Sequence, residues 1–231
     1  MISIAIDGPS GSGKSTISKC LSKRLGFLTL DTGALYRALA YCFFKRKFDY
    51  RNCTDFELNQ MLKKIVLKVS HSDGYQRTYV NNDDVTDNIR DPKISMIASE
   101  ISALEKVRSY LLDFQREFAK KHDVVMDGRD IGTVVLPNAD VKIFLTASVD
   151  SRVQRRYDQI LKNSSSINIE DVKKSILKRD FNDSVRKASP LKPAKDAVVV
   201  DNSNLNLEET LNKIMKIIGE SVKIETKQGT V

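Results

Sequence analysis

Apolar positions in this chain come in short runs, and the stretches between them carry helical spacing. Ile2 to Ile6 is the first run and stops at Asp7-Gly8, which predicts a buried parallel strand. A Gly- and Ser-rich loop follows, then a helix predicted over 16–25 with Gly26 at its C′ position. Phe27 to Leu30 predicts a second strand, and Asp31 is placed to cap a helix running toward Phe44. Val124 to Met126, Val141 to Leu145 and Ala197 to Val200 predict three more strands. The helices expected between and after them cover about 150–161, 169–178 and 207–218.

Residues from about 48 to 90 follow a different rhythm. Thr54 and Glu57 have capping-box spacing ahead of Leu58, Met61 and Leu62. Ile65 to Ser70 and Tyr75 to Val80 flank His71-Ser72-Asp73-Gly74 and predict a β-hairpin. Asp91-Pro92 opens a long helical stretch to about Lys120, with a break expected near 104–106. A hairpin inside a βα pattern reads as an insertion. Asn163-Ser164-Ser165-Ser166 is a short low-complexity stretch, and the tail from Glu220 to Val231 is polar and expected to fray.

Strands alternating with helices predict an α/β fold with a parallel sheet covered on both faces. Ligands of such sheets bind beyond the C-terminal strand ends. Asp7-Gly8, Asp31-Thr32 and Asp127-Gly128-Arg129-Asp130 all fall at those ends, which joins them into one expected site.

Composition narrows the picture. The 231 residues allow one large domain, or one domain with an insertion. No apolar run nears the ~18 residues of a membrane span. The N-terminus shows no basic n-region and no cleavage site, so no signal peptide is expected. Cys20, Cys42 and Cys53 form no Cys-x-x-Cys pair, and a reducing cytoplasm is expected. The net charge of +8 asks for anionic partners. There is no long basic tail and no basic stripe interleaved with aromatics, so no nucleic-acid partner is expected. Arg37, Arg129, Arg179 and Arg186 sit beside Asp, Gly and Ser in stretches that read as loops, and their planar forks suit phosphate.

The strongest chemistry lies at 8–15. Gly8-Pro9-Ser10-Gly11-Ser12-Gly13-Lys14-Ser15 matches G-x-x-x-x-G-K-[ST] between a predicted strand and helix. Glycines turn backbone N–H groups toward phosphate, and the helix N-terminus adds its positive end. Lys14 reaches the β- and γ-phosphates, and the Ser15 hydroxyl can ligate Mg²⁺. Asp127, ending an apolar strand, is placed to hold Mg²⁺ through water. An alcohol acceptor would need a base nearby. A phosphate acceptor needs cations that hold two polyanions together. His71 and His122 are expected at the surface, in the hairpin turn and ahead of a strand, and the arginines favour a phosphate acceptor.

Four stretches carry a resemblance. Ile6 to Thr16, Leu30-Asp31-Thr32-Gly33-Ala34-Leu35-Tyr36-Arg37, Asp127 to Val135, and Arg179-Asp180 through Asp183, Arg186 and Ser189-Pro190-Leu191 resemble the bacterial cytidylate kinases, in order, from Ile2 to about Asp201. The phosphate loop alone is generic, whereas the second and third stretches are specific to that family. The resemblance implies a P-loop nucleoside monophosphate kinase fold, with a five-stranded parallel core formed by 1–47 and 101–231. It implies a monophosphate-binding insert over 48–100 and a short lid near 152–166. It implies transfer from ATP, with Mg²⁺, to CMP or dCMP by a monomer. Arg37 and Arg129 would then serve the acceptor phosphate. Thr32, Tyr36, Ser99, Arg108, Asp130 and Arg186 would surround the base, and Arg179 and Asp183 the sugar. Arg152 would lie against adenine, with the phosphate loop and Thr16 on ATP and Arg155 and Arg156 near its phosphates. Many members carry serine at position 32, where this chain keeps a hydroxyl as threonine. A UMP kinase, a kinase for a non-nucleotide phosphate, and a P-loop switch or ATPase remain as rivals. An Asn-Lys-x-Asp stretch, expected of a guanine-specific switch, is missing.

Overall fold

A computed structural model describes residues 1–72, 75–161 and 168–222. The hairpin tip at Asp73 and Gly74, the serine run with the far part of the expected lid, and the tail from 223 lie outside them.

Five parallel strands form the core sheet: β1 (Ser3–Asp7), β2 (Leu28–Asp31), β6 (Val124–Gly128), β7 (Val141–Thr146) and β8 (Val198–Asp201), in the order β2-β6-β1-β7-β8. The second sheet is antiparallel, from β3 (Leu67–Ser72), β4 (Tyr75–Val80) and the two-residue β5 (Asp83–Asp84). The helices are α1 (Lys14–Leu25), α2 (Thr32–Lys45), α3 (Asp55–Lys63), α4 (Pro92–Ile101), α5 (Glu105–Lys121), α6 (Val149–Leu161), α7 (Ile169–Val185) and α8 (Leu207–Ser221).

Alternation along the strands divides the core. Ile4, Ile6, Val125, Ile143 and Leu145 face Ile17 and Leu21 of α1 and Leu211, Ile214 and Ile218 of α8. Ala5, Leu30, Val124 and Met126 face Leu35, Leu39 and Phe43 of α2 and Val107 and Leu111 of α5. The second cluster continues into Leu58, Met61, Leu62, Leu67 and Val80, so the segment with the small sheet shares this core.

Strand β2 is an edge of the core sheet, and side chains from the small sheet cover it. The Gln76 side-chain oxygen accepts from the Asp31 N–H at 2.8 Å, and the His71 Nε2 lies 2.7 Å from the Thr29 carbonyl oxygen. His71 therefore belongs to a strand and packs 5.9 Å from the Phe118 ring, which His122 meets at 4.8 Å. The expected surface placement of His71 gives way to this backbone contact.

Other boundaries move for physical reasons. Helix α7 runs to Val185, past the expected end at 178, because its polar residues find partners instead of solvent. Arg179 and Asp183 thus sit on a helix, as does Arg37. The break between α4 and α5 falls at 102–104. A π-helical turn at Ile131–Val135, without a sequence signal, follows β6. No described helix is long and apolar enough to cross a membrane.

Phe43 is 1% exposed between the core sheet and the segment that carries the small sheet. Phe43→Ala should cost about 3–5 kcal/mol. Urea unfolding checks this, as a lower midpoint with an unchanged m-value.

Candidate active site

Register levels the C-terminal ends of the core strands: Asp31 and Ile6 lie opposite Asp127, and Asp7 lies opposite Gly128. A cavity of about 1130 Å³ opens there, lined by the phosphate loop, α2, α4, the small sheet, the 127–130 segment, α6, α7 and the stretch after β8.

At Gly8 the chain turns under β7. Its φ is +150°, and a Cβ would lie 2.0 Å from the Leu145 carbonyl oxygen, which only glycine avoids. Lys14 is buried and donates to the Pro9 carbonyl at 2.7 Å and the Ser12 hydroxyl at 3.3 Å. Burial, then the nearby Arg129 charge, holds its ammonium well below its ordinary value. Ser10, Gly11, Gly13, Lys14, Ser15 and Thr16 line the cavity, while Gly8, Pro9 and Ser12 lie behind it.

The Ser15 hydroxyl donates to Asp127 at 2.8 Å. Burial, with the Asp31 carboxylate nearby, pushes the Asp127 carboxyl up to about 7. A hydroxyl beside a carboxylate whose charge is disfavoured by burial fits a hard dication. Mg²⁺ takes few protein oxygens and completes its shell with water and phosphate.

A chain of alternating charges lines the same cavity. Arg108 donates to Asp130. Arg186 stands 3.7 Å from the other Asp130 oxygen and 3.8 Å from Asp183. Asp183 accepts from Arg129 at 2.7 Å. Tyr36 lies under the Arg108 guanidinium at 5.9 Å. Thr32 donates its hydroxyl to the Asp127 carbonyl at 2.9 Å, and Arg37 pairs with Asp31 at 3.0 Å. Among the described residues, Ser99 Oγ, Arg179 Nε and Arg186 Nη2 are buried without a hydrogen-bond partner. Burial and the Arg129 charge lower Arg179 to about 10. Buried donors left without acceptors are costly, and these border the cavity, so an acceptor-rich ligand satisfies them.

Arg152 departs from expectation. It is buried, does not line the cavity, and donates to the Ala147 carbonyl at 3.0 Å, the Ser10 carbonyl at 2.9 Å and Asp180 at 2.5 Å. Asp180 also accepts from the Ser10 N–H at 3.2 Å. An ion pair thus brackets Ser10 of the phosphate loop at its N–H and its carbonyl, and Arg152 lies off the cavity wall. Arg155 lines the cavity and donates to the Asn202 carbonyl at 2.6 Å and its side-chain oxygen at 2.9 Å, while Asn202 donates to the Ser12 carbonyl at 3.1 Å. Arg156 lines the cavity with its guanidinium on Gln159.

Asp180, Asn202 and Gln76 were not singled out as site residues. Asn202 follows the last core strand, so the strand-end rule that marked the others reaches it. Asp180 falls within the fourth stretch of the resemblance, without a role read for it, and Gln76 carries no local signal, since its partner Asp31 is far away in the chain.

A model of the family described as "Cytidylate kinase" matches residues 4–220. The cytidylate kinase of Carboxydothermus hydrogenoformans is 44% identical over 216 residues, covering 94% of this chain and 96% of that protein. That of Thermotoga neapolitana is 44% identical over 220 residues, covering 95% and 98%. Among solved structures, an uncharacterized protein from Eubacterium ventriosum superposes with a TM-score of 0.53 at 12% identity, covering 95% and 99%, a likeness of fold alone. The family match takes in all five core strands and every described element around the cavity, and the chain belongs to the cytidylate kinase family.

Proposed function

We propose that this chain transfers the γ-phosphoryl of ATP to CMP or dCMP, giving ADP and CDP or dCDP, a step of pyrimidine nucleotide metabolism. The observation that carries the reading is the buried Asp130 carboxylate, held between Arg108 and Arg186 in the cavity that the phosphate loop also lines. Cytosine offers an N4 amino donor to a carboxylate, whereas uracil offers a second acceptor. Sites built on such a polar match reject the mismatched analogue by roughly 10² to 10⁵. The reading carries with it a cytoplasmic monomer whose partners are nucleotides and not nucleic acid.

Donor and acceptor share the cavity. Lys14 and the loop amides hold the ATP phosphates, with Arg155 and Arg156 of α6 beside them. Segment 48–100 is the monophosphate-binding insert and brings Ser99. Arg37 and Arg129 hold the acceptor phosphate. Thr32, Tyr36 and Ser99 frame the base with the Asp130 cluster, and Arg179 and Asp183 hold the sugar. Mg²⁺, held by Ser15 and Asp127, would neutralise charge on the transferring phosphoryl. A phosphate oxygen is already anionic, so the transfer is in line and needs neither a base nor a covalent intermediate.

Three outcomes are expected. ADP formation should be strong with CMP and dCMP, weak with UMP and AMP, near blank without acceptor, and abolished by chelating Mg²⁺. Hydrolysis that no acceptor stimulates would overturn the kinase reading. Asp130→Ala should keep ATP binding while its preference for CMP over UMP collapses by at least tenfold in kcat/KM, on the order of a lost polar match.

The third concerns pH. Burial acts to raise the Asp183 carboxyl, but the charge and hydrogen bond of Arg129 hold it below its ordinary 3.8. Such a group binds fewer protons folded than unfolded. Its contribution to stability is present above 3.8 and lost as pH falls through the lower folded value. Asp183→Asn also leaves the Arg129 guanidinium buried without its counter-charge and should destabilise by about 3–5 kcal/mol at neutral pH. Urea unfolding at several pH values should show that gap close as wild type is acidified below 3.8.

A further inference from the structure

Asp7 ends β1, is 4% exposed and does not line the cavity. One of its carboxylate oxygens accepts from the Ile131 N–H at 2.7 Å, and the other accepts from the Gly132 N–H at 2.8 Å. These amides open the π-helical turn directly after Arg129-Asp130, and the Asp130 side chain makes no cap there. The Lys142 stem packs against the same spot. A Cβ on Gly132 would lie 3.2 Å from that stem and 3.4 Å from the Asp7 carboxylate. The Lys142 ammonium is itself tied to the Pro137 carbonyl at 2.5 Å and to Asp196 at 2.6 Å. The segment that presents Arg129 and Asp130 is thus hydrogen-bonded to a carboxylate and packed against an anchored aliphatic chain.

Asp7 is also bonded covalently to Gly8, the first residue of the phosphate loop. The donor loop begins where the acceptor-reading segment is fastened. We propose that Asp7 is a positioning residue for acceptor recognition, whose two hydrogen bonds set Arg129 and Asp130 in register with the phosphate loop. This rests on the reading of Asp130 and Arg129 as acceptor contacts. A carboxylate suits the task because each oxygen accepts one N–H. A carboxamide offers one oxygen, and its NH₂ would face the second N–H.

The test compares wild type, Asp7→Asn and Gly132→Ala with ATP, Mg²⁺ and either CMP or UMP. The CMP:UMP ratio of kcat/KM, taken on one preparation, is independent of how much of it is folded. Asp7→Asn should raise the KM for CMP roughly tenfold and narrow the CMP:UMP ratio by a similar factor, since displacements of about 1 Å act at that scale or beyond. The KM for ATP should change less than about twofold, uniform binding at the donor end being spared. Gly132→Ala crowds the Lys142 stem beside the same carboxylate and should give the same signature. An unchanged CMP:UMP ratio in both variants, whatever happens to melting temperature, overturns the proposal. So does an equal rise in the ATP and CMP KM values, which would mark a distorted phosphate loop. Wild type that turns over UMP as well as CMP overturns the underlying reading instead, and is seen before any variant is made.

Discussion

Burying a guanidinium without a counter-charge costs several kcal/mol, and this site must keep several buried before its anionic substrates arrive. The arrangement around the cavity follows from that requirement. Arg108, Arg129 and Arg186 lie along a chain with Asp130 and Asp183, and Arg37 leans on Asp31. The carboxylates keep the cations compatible with a folded core, and they retain enough positive excess for phosphate. Where pairing falls short, the strain appears as the depressed Lys14 and the lowered Arg179.

The same economy gives carboxylates two duties. Asp31 caps α2 through the Ala34 N–H at 2.9 Å and also pairs with Arg37 from the same helix. Asp180 joins an arginine to both polar groups of the Ser10 peptide. It sits one residue from Arg179 on α7, so one helix steadies the phosphate loop with one side chain and lines the cavity with others.

What could be read from the sequence was local. The phosphate loop announces itself because its glycines, lysine and serine act within eight consecutive residues. Asp31, Asp127 and Asp130 were legible because parallel strands put ligands at one end, and five strands were found with ends shifted by a residue or so. The orientation of Arg152 was not legible, since it depends on Asp180, 28 residues away. Nor was the clamp on Gly132, whose carboxylate is 125 residues distant. The full length of α7 was missed because its polar second half looks like a loop until its partners are known.

The side-chain cover on β2 bears on how this protein behaves at high concentration. A sheet edge offers unpaired amides and carbonyls to any extended chain nearby. Gln76 and His71 occupy the Asp31 N–H and the Thr29 carbonyl on that edge, standing in for a further strand without extending the ladder. At the opposite edge, β8 leaves Val198 and Val199 43% and 54% exposed. Two edges of one sheet therefore differ in their resistance to intermolecular β-pairing, and aggregation of a partly opened molecule would start at β8.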